Sequence, residues 1–128
     1  MTAMREIKFR GRDDLTGNGW VYGDFSYGYY GNQCLVDEIS VVEKTVGQFT
    51  GLKDHKDREI YEGDILQKRD ELAWRTVDRG VVFWHSDECR WCVEMRDGLV
   101  FSLTSRKSNT WHVIGNVHDN PELLEVEA

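Results

Sequence analysis

Apolar residues along this chain fall in short alternating or unbroken runs separated by glycines and charged clusters, and runs with a helical period are scarce. Ile7-Lys8-Phe9-Arg10 alternates apolar and basic side chains and reads as a strand with one face inward. Trp20-Val21-Tyr22-Gly23-Asp24-Phe25 follows a Thr16-Gly17-Asn18-Gly19 turn, so the two segments are expected to form a hairpin. Tyr27-Gly28-Tyr29-Tyr30-Gly31-Asn32 reads as an aromatic turn, with short strands at Gln33-Cys34-Leu35-Val36 and Ser40-Val41-Val42. Six charged or His residues in a row, Lys53 to Arg58, read as a solvated loop.

Beyond Ile60 the pattern is more regular. Ile65 to Lys68, Gly80 to Trp84, Trp91 to Met95, Leu99 to Leu103 and Trp111 to Ile114 are strand candidates spaced roughly 10 residues apart, which suggests a small barrel. Asp97-Gly98 between the third and fourth predicts a two-residue hairpin turn, because that pair tolerates the positive φ such a turn demands. One helix start stands out, Asn120-Pro121-Glu122-Leu123-Leu124, with a capping Asn, a proline at the first helical position and an acid in the first turn. It is short. We read the whole chain, 1–128, as one mainly β domain, with 1–50 as an N-terminal β extension or arm and 51–128 as a barrel and tail. Fifty glycine-rich residues would make a weak core alone.

Length supports one domain and excludes a multidomain enzyme: the chain has 128 residues. Sixteen Lys+Arg against 23 Asp+Glu give a net charge of -7, which repels a polyanion at long range and disfavours nucleic acid as a partner. Arg5, Lys8, Arg10 and Arg12 nevertheless make the N-terminus basic, while Asp119, Glu122, Glu125 and Glu127 make the C-terminus acidic; the two ends read as solvated, or as paired within or between subunits. No apolar run approaches the ~20 residues of a membrane span, and charges at Arg5 and Glu6 break any leader core, so the expected compartment is the cytoplasm. Three cysteines, an odd number, argue for reduced thiols rather than a disulfide framework.

Candidate chemistry is sparse. His85, Cys89 and Cys92 offer three ligands of the type zinc prefers, with Cys34, His112 or His118 as a fourth, and a zinc-binding protein is the lesser alternative; if Cys89 and Cys92 both lie in a strand, their three-residue offset puts them on opposite faces. No metal and no cofactor is therefore assigned. Glu59, Glu62 and Asp64 read as a turn entering a strand, with Gly63 for its backbone and Asp64 accepting from amides, rather than as a catalytic carboxylate pair. No nucleophile elbow or phosphate loop is present, so no catalytic residue is assigned. The aromatics outside the regular β run, Trp20, Tyr22, Tyr27, Tyr29 and Tyr30, form a candidate interaction surface for a protein or a second copy. Together with Arg5, Lys8, Arg10 and Arg12 they offer the alternative of a barrel that stacks single-stranded nucleic acid.

Three segments resemble the YopX family of small proteins encoded by bacteriophages and prophages. Arg5-Glu6-Ile7-Lys8-Phe9-Arg10 looks like its opening strand. Gln48-Phe49-Thr50-Gly51-Leu52-Lys53-Asp54 through Glu59-Ile60-Tyr61-Glu62-Gly63-Asp64-Ile65-Leu66 is similar to its T-G-L-x-D then I-Y-E-G-D-I signature. Val113-Ile114-Gly115-Asn116 to Asn120-Pro121-Glu122-Leu123-Leu124 looks like its I-G-N-x-x-x-N-P-E-L-L ending. The stretch from Asp13 to Val46 lies where such proteins look most variable. The resemblance implies an SH3-like barrel in the second half and no catalytic residues. It makes Gly51, Asp54, Tyr61, Glu62, Gly63, Asp64, Gly115, Asn116 and Pro121 fold-defining: Gly51 and Gly63 would hold turns, Tyr61 and Ile65 would enter the core, and Gly115-Asn116 would shape the last bend. The expected role is a phage-derived, non-catalytic module that binds protein or itself.

Overall fold

A computed structural model of the chain describes residues 6–17, 19–28, 31, 33–68, 79–104 and 111–125. The protein is mainly β, with several antiparallel sheets, and divides into two compact units, Met1–Gly51 and Leu52–Ala128.

In the first unit β1 (Phe9–Arg12) pairs with β2 (Trp20–Gly23), which makes the expected hairpin, and on its other side with the start of β6 (Gly47–Lys53). A smaller sheet joins β3 (Phe25–Tyr27), β4 (Cys34–Val36) and β5 (Ile39–Ser40). Alternation along β1 and β2 turns Phe9 and Val21 inward, where they pack with Phe25 and Val46 on a core of Cys34, Val36 and Val41. A 3-10 turn over Glu43–Thr45 leads into β6, and the Thr45 hydroxyl accepts the Arg12 amide at 2.9 Å.

In the second unit β8 (Asp64–Lys68), β9 (Arg79–His85), β10 (Arg90–Met95), β11 (Val100–Ser102) and β12 (Trp111–Asn116) form one antiparallel sheet in the order β11-β10-β9-β8-β12. All five regular strand candidates are therefore strands of a single sheet. The expected barrel is not closed: among the described residues β11 and β12 are the sheet's two edges. One face carries Leu66, Val82, Val93, Met95 and Trp111, which pack with Ile60 and Leu103; each such side chain contributes about 1.5–3 kcal/mol on leaving water. The other face buries Ile65 and Cys92 completely.

The β10–β11 hairpin exists, but its loop is three residues rather than two. Gly98 donates to the Met95 carbonyl at 2.9 Å and Met95 to Leu99 at 2.8 Å, which leaves Arg96, Asp97 and Gly98 in the loop with Gly98 left-handed at φ +92. A three-residue loop needs positive φ only at its last position, Gly98, and the Asp97 carboxylate accepts the Leu99 amide at 3.0 Å. The short C-terminal helix is a 3-10 turn over Pro121–Leu124 with Pro121 at its start, tied down where Arg79 donates to the Leu123 carbonyl at 3.2 Å. Asn120 does not cap it. Its side chain turns back to the Asn116 amide instead, at 3.4 Å.

Candidate functional site

The first unit presents a face of alternating arginines and aromatics. Arg12 pairs across the sheet with Trp20, and Arg10 with Tyr22, so all four side chains lie on the side opposite Phe9 and Val21. The Arg10 guanidinium sits 4.7 Å from the Trp20 ring centroid and that of Arg12 sits 5.3 Å away, which sets two cations against the indole. Arg10 is buried, Trp20 half-buried, and Tyr22 is 50% exposed at the edge strand. Tyr27 belongs elsewhere: it is 65% exposed on β3, packed edge-on against Phe25 at 5.1 Å. Tyr29, Tyr30 and Arg5 lie outside the described residues. The basic residues are engaged within the chain, since Lys8 pairs with Glu6 at 3.1 Å and the Arg12 guanidinium donates to the Gly17 carbonyl.

The His85–Cys92 run does not converge on a metal. Cys89 is exposed in the β9–β10 turn, whereas Cys92 is wholly buried in β10, where burial pushes its thiol above the ordinary pKa. His85 accepts the Glu88 amide at 3.3 Å, and among the described residues no three His, Cys, Asp or Glu side chains gather as ligands.

The run Lys53 to Arg58 is not simply solvated, because Asp54 is 4% exposed. Its Oδ1 accepts the amides of Lys56 and Arg58, both at 2.9 Å; its Oδ2 accepts the Arg58 Nε at 3.1 Å and the Val113 amide at 3.0 Å. Burial alone would raise this carboxyl's pKa. The amides of Val113, Arg58 and Lys56 and the Arg58 charge outweigh burial and hold it below the usual carboxylate value. Asp54 thus satisfies an outward amide on the edge strand β12, and the His55 amide satisfies the neighbouring Trp111 carbonyl at 3.2 Å. Beside this anchor the His55 and His112 rings meet. Nothing in the sequence pointed to that pair, because 57 positions separate its members.

The remaining signature residues also serve the main chain. Glu62 and Gly63 turn the chain from β7 (Glu59–Tyr61) into β8, with Gly63 at φ +89, and Asp64, 2% exposed, accepts the Tyr61 amide at 2.7 Å. Tyr61 and Ile65 are buried, and the Tyr61 hydroxyl donates to Glu59 at 3.2 Å. Gly51 does not sit in a turn: it lies within β6 at φ +85, exposed. The Asn116 carbonyl group accepts the amides of His118 and Asp119 at 3.0 and 2.9 Å, while its NH2 donates to the Asp119 carboxylate at 3.0 Å. Gly115 leaves room for the Asn120 side chain, which a Cβ there would meet at 2.5 Å.

No helix among the described residues is long and apolar enough to cross a membrane. Among curated proteins none matches the chain. Among solved structures it is similar to the crystal structure of protein EF1440 from Enterococcus faecalis, at 25% identity and a TM-score of 0.50 over 95% of this chain and 100% of that one. The family model described as YopX protein matches residues 21–125, most of the chain and both of the later signature segments. The protein belongs to the YopX family.

Proposed function

We propose that this protein is a non-catalytic binding and assembly module, phage-derived and cytoplasmic, which engages a protein partner or a second copy of itself. The observation that carries the reading is the face built by Arg10, Arg12, Trp20 and Tyr22. Two guanidiniums fix the indole in place, so the exposed Tyr22 beside it is presented on a rigid sheet at little entropic cost on binding. Aromatic and arginine side chains on a preorganised surface are the usual material of protein interfaces. In this reading the five-stranded sheet of the second unit is an opened SH3-like barrel. The acids nearest to a catalytic arrangement are committed elsewhere: Asp54 and Asp64 to backbone amides and Glu59 to the Tyr61 hydroxyl.

The test is native mass spectrometry of untagged protein, alone and with its recovered partner, comparing wild type with Tyr22→Ala. The expected result is an oligomer or complex whose affinity falls at least about tenfold in the variant, with an unchanged unfolding midpoint. A monomer indifferent to Tyr22 sinks the proposal. A second reading, single-stranded nucleic acid stacked on Tyr22, is favoured only by the two cations set against Trp20. It predicts oligonucleotide binding that weakens steeply with salt.

A further inference from the structure

His55, in the loop between β6 and β7, and His112, on β12, meet edge to face with ring centroids 3.7 Å apart and planes at 90°. His55 Nε2 lies 3.1 Å from His112 Nδ1 and also touches His112 Nε2. Both rings are half-buried. The charged groups around His112 are mostly cationic: Lys56 and Arg58 act on it from the loop, with the Arg58 Nη2 3.4 Å from its Nδ1, and Asp54 is the opposing acid. Both Asp54 oxygens already accept N–H groups, so that carboxylate is not free to turn toward a second imidazolium.

Proton counting decides what such a pair can do. With zero or one proton the pair carries at most one positive charge, and a lone pair remains on one of the two facing rings. A second proton removes the last lone pair at the contact and leaves two cations facing each other beside Lys56 and Arg58. The rings must then part. The His55 main chain is joined to β12 through its amide on the Trp111 carbonyl, at 3.2 Å, so parting the rings loosens that bond as well. Asp54 remains ionised throughout this range and keeps the base of the loop in place.

We propose that His55 and His112 form a proton-operated latch that holds the β6–β7 loop on the edge of β12 with zero or one proton and releases residues 55–57 when it takes the second. Burial, then the charges of His55, Lys56 and Arg58, hold His112 below the ordinary imidazole pKa of 6.5. The closed state accordingly binds fewer protons than the open one. The latch is fully closed above the ordinary value and opens as pH falls below it.

The experiment is a histidine ring titration by NMR from about pH 8 to 4.5 in chelator, together with exchange of the His55 amide corrected for its intrinsic pH dependence. Blocked histidine peptides in the same buffer are the references. The expected result is two separated steps for the pair, the second more acidic than the references, and roughly tenfold loss of His55 amide protection between pH 7 and 5. In His112→Gln that protection becomes independent of pH. Two rings titrating together with the references, with protection unchanged, would overturn the proposal using wild-type protein alone. So would added zinc that broadens both rings and raises protection at pH 7, which would mark the pair as a metal site.

Discussion

Asp54→Asn tests whether one buried carboxylate closes the edge of the C-terminal sheet. The substitution keeps the shape and one acceptor oxygen, which can still serve the Lys56 and Arg58 amides at 2.9 Å. The new NH2 then faces two donors, the Val113 amide and the Arg58 Nε, now 3.0 and 3.1 Å from Oδ2. Arg58 can swing into water, since half of its side chain is exposed, but the Val113 amide on β12 cannot. One unsatisfied buried donor costs about 1–3 kcal/mol, and a lost bond to a charged acceptor costs a similar amount. The sum is about 3 kcal/mol, or a melting point lower by roughly 10 °C in a chain of this size.

Urea unfolding followed by tryptophan fluorescence measures that loss, and its pH dependence identifies the cause. The Asp54 pKa is lowered on folding from the ordinary 3.8, so its contribution is complete above the unfolded value and disappears as pH falls through the folded one. Wild type and variant should differ by a constant amount above about pH 5 and converge below 3.8. A loss under about 1 kcal/mol, or a gap that persists at the lowest pH, would refute the electrostatic anchoring.

Three further outcomes follow from local geometry. Glu38 occupies the second position of the two-residue β4–β5 turn at φ 64, after Asp37 at φ 51, so Glu38→Gly should stabilise the fold by about 0.5–1 kcal/mol in the same unfolding assay. Gly115→Ala would push a Cβ into the Asn120 side chain and should cost about 1–3 kcal/mol; a neutral effect would show that the final bend does not depend on Asn120. Native protein should expose a single fast thiol to a disulfide reagent, Cys89, with Cys34 and Cys92 reacting only on unfolding. Two fast thiols would contradict the placement of Cys92 inside the sheet.

The strands of the second unit were legible because each pairs a core-facing row with turn residues at its ends, a pattern local to a few positions. Cys89 and Cys92 are separated for a different reason than the period of two: Cys89 stands in the β9–β10 turn at φ 51 and only Cys92 lies in a strand. The hairpin loop is one residue longer than Asp-Gly predicts because that pair also fits a three-residue loop, in which only Gly98 takes a positive φ. The charge run Lys53 to Arg58 misled for a deeper reason. Charge predicts solvation only when nothing nearby needs an acceptor, and the outward Val113 amide, far along the chain, needed one. The His55–His112 contact and the unexpected strand at Gly47–Lys53 are tertiary outcomes of the same kind. The candidate face was half legible: alternation joins Trp20 to Tyr22, but the chain breaks at Asp24 and carries Tyr27 to another sheet.

The positions of the signature bear on how function is distributed over the chain. Asp54, Asp64 and Asn116 each spend their side chains on backbone amides, and Gly63 and Gly115 make turns and close approaches affordable. These are requirements of the main chain, and any partner-specific surface can change without touching them. The family match begins at residue 21, so Arg12 and Trp20 stand outside it and outside the signature segments, while Arg10 closes the opening segment and Tyr22 lies at the margin of the match. If the face recognises a partner, two members of the family could share every signature residue and still bind different things. Grafting the Arg10, Arg12, Trp20 and Tyr22 face onto a relative should then transfer the partner, while exchanging the two later signature segments should transfer stability alone.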